Sequence, residues 1–246
     1  MPRFFVRQER VSDNSISIIG EDAHHIARSL RMAVGDSITV CDMQGNEYDC
    51  RISAFDEDRE VIATVLSSSR SEKEPNVYVR LFQALPKGDK LDTIIQKAVE
   101  CGVSEIIPFQ SERCIVKIKG ESEDRKNQRR QKISEEAAKQ CGRSVIPEIR
   151  AAVSFEEAIR SASESELCLF CYEGDGTRPL GEILRGYEKL PSSISIVIGS
   201  EGGFSQKEVG VALQNRVTLT GLGKRILRTE TASGFVLACL VCHSEL

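Results

Sequence analysis

Strand-like and helix-like segments alternate from residue 77 to the end of the chain, and this alternation limits the possible folds more than any other feature. Short apolar runs predict strands at 77–84, 104–109, 167–172, 194–198 and 217–220. Helical spacing predicts helices at 89–101, 125–141, 155–161, 180–190, 205–214 and 230–243. Such alternation indicates a mostly parallel sheet with helices on both faces, an α/β fold.

The first 66 residues have a different pattern, which is rich in β-branched residues. Strands are predicted at 3–6, 15–19, 37–42, 48–54 and 60–66, with a helix at 22–32 and a hairpin turn at 43–46. The segment SSSRSEKEP at 67–75 has no apolar residue and ends in proline, as linkers often do. We therefore predict two domains, a small β-barrel at 1–72 and the α/β domain at 73–246.

Composition restricts the compartment and the partners. No run approaches the roughly 18 apolar residues that a membrane-spanning helix needs, and nine cysteines is an odd number that argues against a disulfide framework. These features predict a cytoplasmic protein with reduced thiols, no metal and no membrane partner. The net charge is -4, but residues 113–143 contain ten Lys or Arg and five acids. That segment predicts either a track for phosphates or an ordinary solvated helix surface.

Two C-x-x-C spacings carry little functional information. Cys168 and Cys171 lie on a predicted strand, where residues three apart point to opposite faces and cannot easily share a metal ion. Cys239 and Cys242 lie on an apolar helix and precede His243. We expect all four to be buried structural thiols.

Two glycine-containing turns follow predicted strands late in the chain. Gly199 to Gly203, GSEGG, precede Ser205 and Glu208, whose spacing predicts a capping box at the start of a helix. Gly221 and Gly223 follow the next strand. Ligands bind at the carboxyl ends of parallel strands, so these turns predict a small-cofactor site. Ordinary strand-to-helix turns are the alternative, and neither a dinucleotide fingerprint nor a P-loop is present.

Six segments resemble a known family in the same order along nearly the whole chain. They are PRFFV at 2–6, HHIARSLRMAVGD at 24–36, QKAVECGVSEIIPF at 96–109, EEAAKQCGRSVIP at 135–147, GSEGG at 199–203 and LGKRILRTETA at 222–232. Together they resemble the RsmE family of 16S ribosomal RNA (uracil-N3) methyltransferases, in the SPOUT superfamily. The segment at 222–232 is the most specific of the six.

The resemblance implies a PUA-like RNA-binding barrel followed by a SPOUT domain whose C-terminal chain forms a trefoil knot and pairs with a second subunit in a homodimer. It also implies a cofactor, S-adenosyl-L-methionine. The residues that would hold it are Ile198, Gly199, Ser200, Glu201, Gly202, Gly203, Leu222, Gly223, Ile226, Leu227 and Thr231. Ser200 departs from the proline that the family commonly has, which implies a looser loop with its backbone donors intact.

The family chemistry is methylation of uridine N3 in small-subunit ribosomal RNA. Arg228 is a candidate for stabilising charge on the uracil oxygens, and Glu230 for accepting the N3 proton. A helix-terminus ion pair and a first-turn acid are the ordinary explanations of these two residues. Candidates for RNA binding are Arg3, Arg28, Arg31, Arg113 and Arg143, although each is also a plausible surface charge.

Two other functions stay open from the sequence. A ribose 2'-O-methyltransferase of the same superfamily would share both glycine turns. A non-catalytic RNA-binding module would explain the barrel and the basic segment, but it would not explain the two glycine turns.

Overall fold

The computed structural model describes residues 1–56, 60–118 and 122–246, with only the backbone of Ser122. These residues form two compact units. The first contains residues 1–74 and 138–146, and the second contains residues 75–137 and 147–246. The sequence prediction did not group 138–146 with the N-terminal residues.

The first unit contains one five-stranded sheet. Its strands are β1 (Arg3–Phe5), β2 (Ser15–Ile19), β3 (Ser37–Cys41), β4 (Asn46–Asp56) and β5 (Glu60–Arg70). They lie in the order β1-β3-β4-β5-β2, and every neighbouring pair is antiparallel except β1 and β3. A 3-10 turn (Gln8–Arg10), the short helix α1 (Glu21–His24) and a π-helical turn (His25–Ser29) lie between strands.

Alternating apolar residues form the core of this unit. In β2, Ile16 and Ile18 are each 1% exposed, while their neighbours point outward. The predicted hairpin turn is confirmed between β3 and β4. There the buried Asp42 accepts hydrogen bonds from the backbone N–H groups of Gln44 and Asn46 at 2.8 and 3.1 Å. At this turn, these side-chain bonds take the place of the backbone hydrogen bonds that pair β3 with β4.

Two predictions for this unit are wrong in extent. The polar segment 67–75 is only partly a linker, because β5 continues to Arg70 and its residues 67–70 pair with 46–49 of β4. Backbone hydrogen bonds make that pairing, and exposed serine side chains gave no apolar pattern to reveal it. The helix predicted at 22–32 is shorter, since the π-helical turn ends at Ser29 and Arg31 has a φ of 52°.

The segment 138–146 is tied to the first unit by Glu74. This carboxylate accepts hydrogen bonds from Arg143 Nη2 at 2.7 Å and from the backbone N–H groups of Ser144 and Val145 at 2.8 and 3.1 Å. Lys139 also pairs with Asp22 at 2.9 Å. These contacts explain why residues from the middle of the chain belong to the N-terminal unit.

The second unit contains an eight-stranded, wholly parallel sheet. Its strands are β6 (Tyr78–Ala84), β7 (Glu105–Gln110), β8 (Glu148–Ile149), β9 (Val153–Ser154), β10 (Leu167–Cys171), β11 (Arg178–Pro179), β12 (Ser193–Ile198) and β13 (Thr218–Gly221). The order is β11-β13-β10-β12-β6-β7-β8, and β9 also pairs with β7. The predicted parallel α/β arrangement is confirmed.

Helices connect these strands. They are α2 (Lys90–Glu100), α3 (Ser122–Cys141), α4 (Phe155–Ala162), α5 (Leu180–Arg185), α6 (Gln206–Gln214) and α7 (Thr229–Ser244). The last residues of α3, from Ala138, belong to the first unit. Helix α5 is shorter than the predicted 180–190, because it ends at Arg185 and Gly186 is its C-cap. None of the helices in the described ranges is long and apolar enough to cross a membrane.

Candidate cofactor site

Three loops lie side by side at the carboxyl edge of the parallel sheet. Strand β10 lies between β12 and β13, and all three strands run in the same direction. The loop 199–203 follows β12, the loop 172–177 follows β10 and the segment 222–228 follows β13. The two glycine turns are therefore separated by a single strand, at the edge where parallel sheets bind ligands.

The loop 199–203 is a tight turn with close neighbours. Gly203 has a φ of +62°, and its N–H donates to the carbonyl of Ser200 at 3.0 Å. A Cβ atom on Gly202 would lie 2.9 Å from Cβ of Arg113. The positive φ at position 203 therefore favours glycine, and position 202 has no room for a Cβ atom.

Phe204 anchors the end of this loop in the core. It is 4% exposed, and its ring centroid lies 4.3 Å from that of Phe170 in β10 and 6.0 Å from that of Phe155 in α4. Aromatic burial at the first residue after the glycines holds the loop against the sheet edge.

Hydrogen bonds join the start of α7 to the same loop. Thr229 Oγ1 donates to the carbonyl of Gly199 at 2.6 Å, and Gln83 Nε2 at the end of β6 donates to Thr229 Oγ1 at 2.9 Å. Thr229 and Gln83 are both buried. The segment 222–228, which immediately precedes Thr229, is therefore held close to the first glycine loop.

Two buried polar atoms around this junction, Gln83 Oε1 and Ser200 Oγ, have no partner among the described residues, and a third, Glu230 Oε2, has no hydrogen bond but only a longer ion-pair contact with Lys90 at 3.5 Å. An unsatisfied buried polar atom costs about 1–3 kcal/mol. A polar ligand or bound water at this junction would recover that free energy. The cluster of orphan atoms therefore marks this edge as a place for a polar small molecule.

A charged group closes one side of the junction. Lys90 Nζ lies 2.8 Å from Glu201 Oε1 and 3.5 Å from Glu230 Oε2. The hydrogen bond with Glu201 raises the pKa of Lys90. Burial would raise the pKa of Glu201, but the ammonium group and backbone N–H donors outweigh it and lower that pKa. Lys90 and Glu201 are therefore both ionised at neutral pH.

Most of the segment 222–228 is exposed to solvent, whereas Leu222 and Leu227 are half-buried. Ile226 is 82% exposed, Gly223 has a φ of +111°, and Arg228 is exposed at the residue before α7. In contrast, Ile198 at the end of β12 is only 2% exposed. An exposed isoleucine beside a ligand edge is available to cover a bound molecule.

Two family models match this chain. The RNA methyltransferase domain matches residues 72–241, and the RNA methyltransferase PUA domain matches residues 18–66. A ribosomal RNA small subunit methyltransferase E from Bacillus subtilis is 35% identical over 254 aligned residues, covering 100% of this chain and 98% of the relative. The chain belongs to the ribosomal RNA small subunit methyltransferase E (RsmE) family. Its fold is accordingly a PUA domain with an α/β methyltransferase domain.

Solved structures agree with the RsmE assignment over the whole chain. A ribosomal RNA small subunit methyltransferase E from Neisseria gonorrhoeae, bound to S-adenosyl methionine, superposes with a TM-score of 0.86 at 28% identity, covering 99% of this chain and 98% of that one. A putative methyltransferase from Legionella pneumophila with bound SAM has a TM-score of 0.85 at 29% identity, covering 98% and 97%.

The five arginines predicted to bind RNA lie in different environments in this RsmE-family chain. Arg28 and Arg31 are exposed in the first unit, and Arg113 is exposed in the second, where its Nη1 donates to the carbonyl of Gly202 at 3.0 Å. Arg3 and Arg143 are instead largely buried in the first unit and paired with Glu47 at 3.0 Å and Glu74 at 2.7 Å. The structure brings Arg3 close to the Arg143 carbonyl, at 3.4 Å.

Ion pairs occupy much of the basic segment. Lys126 and Arg130 pair with Glu123 at 2.6 and 3.5 Å, and Arg129 pairs with Asp92. These pairs favour the second interpretation of this segment, a solvated helix surface. Residues 119–121 of the segment lie outside the described residues.

The cysteine prediction is only partly correct. Cys168 is buried, and burial raises its pKa to about 12, as expected for an inert thiol. Cys171 and Cys239 are half-buried, and Cys242 is exposed, because its side of α7 faces solvent in the single chain. Within the described residues, no group of three or more His, Cys, Asp or Glu side chains is arranged to hold a metal ion.

Sequence reasoning missed three residues that organise the two units, namely Gln83, Lys90 and Glu74. Gln83 carried a detectable signal, since a polar residue in an otherwise apolar strand is unusual and needs partners. Lys90 and Glu74 carried none, because their partners are 69 to 140 positions away in the chain.

Proposed function

We propose that this chain transfers a methyl group from S-adenosylmethionine to N3 of a specific uridine in small-subunit (16S) ribosomal RNA. The observation that carries the proposal is the junction of the two glycine segments with its orphan polar atoms, in a chain of the RsmE family. Relatives across the full length are named for this ribosomal RNA, and two solved relatives contain the cofactor.

The cofactor would bind against the loop 198–203 and residues Leu222, Gly223, Ile226, Leu227 and Thr231. The backbone of the glycine loop, the unpartnered Ser200 Oγ and the exposed Ile226 suit a ligand with both polar and apolar parts. When bound, it supplies a methyl group on a positively charged sulfur. Serine at position 200, where the family commonly has proline, leaves the backbone N–H donors of the neighbouring loop residues in place.

Arg228 and Glu230 are the residues we assign to chemistry. N3 of uridine must lose its proton when its new bond to carbon forms, and Glu230 lies in the first turn of α7 with one buried carboxylate oxygen without a hydrogen bond. We assign it the role of proton acceptor. Arg228, exposed two residues earlier, is assigned to the negative charge that develops on the uracil oxygens.

We propose a PUA-like RNA-binding β-barrel at 1–72 and a SPOUT domain at 73–246 with a C-terminal trefoil knot. Support for the knot comes from the path of the chain after β13. It passes the loop 199–203, to which Thr229 is bonded, and α7 then packs on α2 and β12. Support for the barrel is the five-stranded sheet in the region of the PUA match.

We further propose a homodimer built on α7. Phe235 is 42% exposed, and Ala238 and Cys242 are exposed at positions that share its helix face. A second copy of the chain would cover this stripe. Nine free thiols suit the cytoplasm, where we place the enzyme.

RNA would be bound by Arg28, Arg31 and Arg113 as the exposed cations, with Arg3 and Arg143 contributing to the same function. Arg3 and Arg143 are paired with carboxylates. They would contact RNA directly only if a phosphate replaced the carboxylate, and otherwise they would act by holding the surrounding surface in place. We therefore expect substitution of Arg113 to Ala to weaken RNA binding, with a smaller salt dependence of the affinity.

Nucleoside analysis tests the proposed reaction. Ribosomal RNA is incubated with the purified chain and methyl-labelled cofactor, digested, and separated by chromatography. We expect the label in N3-methyluridine. Label in a 2'-O-methylated nucleoside would establish the ribose methyltransferase instead. Absence of cofactor binding by calorimetry would leave only an RNA-binding module.

A variant of Glu230 tests its assigned role. Glu230→Gln keeps the shape of the side chain but removes its basicity, so the single-turnover rate of methyl transfer should fall about 100-fold while cofactor affinity is retained. An undiminished rate would remove Glu230 from the chemistry.

A further inference from the structure

Lys90 connects the two segments that the proposed function assigns to the cofactor. It is the first residue of α2, and its ammonium group lies between Glu201 in the glycine loop and Glu230 in the first turn of α7, at 2.8 and 3.5 Å. These three side chains are between 23% and 33% exposed. One partly shielded cation thus contacts both an acid of the loop and the acid assigned to proton transfer.

The two carboxylates are held differently. Glu201 Oε1 accepts from Lys90 Nζ at 2.8 Å and from the backbone N–H of Lys87 at 3.2 Å, so its position is fixed by two donors. Glu230 Oε2 is buried and has no hydrogen bond among the described residues, although it lies within ion-pair distance of Lys90. An ammonium group has three donors, and Glu201 uses one of them. Lys90 therefore has the capacity to orient Glu230.

We propose that Lys90 is a positioning residue for methyl transfer, anchored by Glu201 and holding the Glu230 carboxylate where it takes the proton from the target base. The inference rests on the proposed function and on the role assigned to Glu230. Proton acceptors work only within hydrogen-bond reach of the proton they remove. A cation that selects one orientation of the carboxylate therefore contributes to the rate without touching the RNA or the cofactor.

A purely structural tie between the loop and α7 is the alternative, and a double-mutant cycle separates the two. Lys90→Met, Glu230→Gln and the double variant are compared in single-turnover methylation of ribosomal RNA at saturating cofactor. We expect Lys90→Met to slow the reaction by about 10- to 100-fold. If Lys90 acts through Glu230, the double variant is no slower than Glu230→Gln alone.

Two further variants sharpen the test. Lys90→Arg keeps the positive charge and should recover most of the lost rate. Lys97→Met removes an exposed lysine of the same helix, paired with Glu100 at 3.0 Å, and should leave the rate unchanged. Cofactor affinity, measured by calorimetry on Lys90→Met, should stay within about threefold of the unmodified chain.

Several results would overturn the inference. They are additive slowing in the double variant, a normal rate in Lys90→Met or in Glu230→Gln, and a rate in Lys90→Met that returns to normal when the cofactor concentration is raised further. Failure of the proposed function is recognised separately, since the unmodified chain would then methylate no uridine before any variant is compared.

Discussion

Individual residues of the glycine loop are constrained by their neighbours as much as by their own backbone. Gly202 has Arg113 against it, and Gly203 adopts a left-handed conformation that side chains rarely tolerate. Elsewhere in the same unit, Gly210 in α6 has open space around the position of a Cβ atom. The structure therefore separates glycines required by the loop from a glycine that is not.

Gly202→Ala should weaken cofactor binding by tenfold or more, because the new methyl group forces the loop or Arg113 to move. Calorimetric titration with S-adenosylmethionine measures the change. Gly210→Ala is the matched control, and it should keep the affinity and stabilise α6 by up to about 1 kcal/mol. Equal affinities for the two variants would show that the loop does not contact the cofactor.

The ion pair between Glu74 and Arg143 should stabilise the first unit. Its partner Arg143 has a side chain only 6% exposed, so Glu74→Gln should reduce the free energy of unfolding of the first unit by about 3 kcal/mol at neutral pH. Urea denaturation measures this value. The matched comparison is Glu9→Gln, whose carboxylate is highly exposed and should contribute almost nothing.

The same pair predicts a pH dependence. Burial would raise the pKa of Glu74, but its hydrogen bonds and the charge of Arg143 lower it overall. The stabilisation is thus complete above the ordinary carboxyl pKa and is lost as pH falls through the lowered value. The difference between Glu74→Gln and the unmodified chain should shrink in acid. A difference independent of pH would contradict the ion pair.

Two helices of the second unit begin with a capping box, but only one of them directly follows the glycine loop. Ser154 with Glu157 begins α4, and Ser205 with Glu208 begins α6 directly after the glycine loop. The Ser205–Glu208 pair was predicted from its spacing and is confirmed. Local side-chain rules of this kind operate over three residues, so the sequence reveals them reliably.

Replacing each capping serine by alanine should distinguish a helix that supports the site from one that does not. Both Ser154→Ala and Ser205→Ala should lower stability by about 1 kcal/mol. Only Ser205→Ala should also weaken cofactor binding, because the first turn of α6 fixes the end of the loop. Thermal unfolding and calorimetry measure the two effects. Similar cofactor affinities in both variants would argue against that coupling.

Long elements and short elements of the second unit differ in how well the sequence predicts them. The long strands and helices of the second unit were predicted because they are apolar with clear periods. Strands β8, β9 and β11 were not, since two residues show no period. Four of the nine residues in the predicted linker 67–75 belong to β5 instead, because the backbone, not the side chains, makes the β4–β5 pairing there.

For the site, the glycine segments were predicted, while the residues that join them were not. Gln83 lies 146 positions from Thr229, and Lys90 lies 111 positions from Glu201. Contacts of this separation depend on the order of strands in the sheet, which a single sequence does not display.

The complete chain combines a PUA domain with an α/β methyltransferase domain and belongs to the RsmE family. Strands β12, β10 and β13 end at the edge of the parallel sheet where we propose the cofactor binds, and α7 returns to that edge through Thr229. The proposed reaction requires this edge to hold the cofactor while the RNA brings one base to it.

Mass mapping of small-subunit ribosomal RNA after reaction with the purified chain is the decisive test of the proposed uridine methylation. We expect a single added methyl group, located by fragmentation on N3 of one uridine, and dependent on added S-adenosylmethionine. An RNA that gains no methyl group although the chain binds the cofactor, or one that gains it on a ribose oxygen, would rule out uridine N3 methylation by this chain.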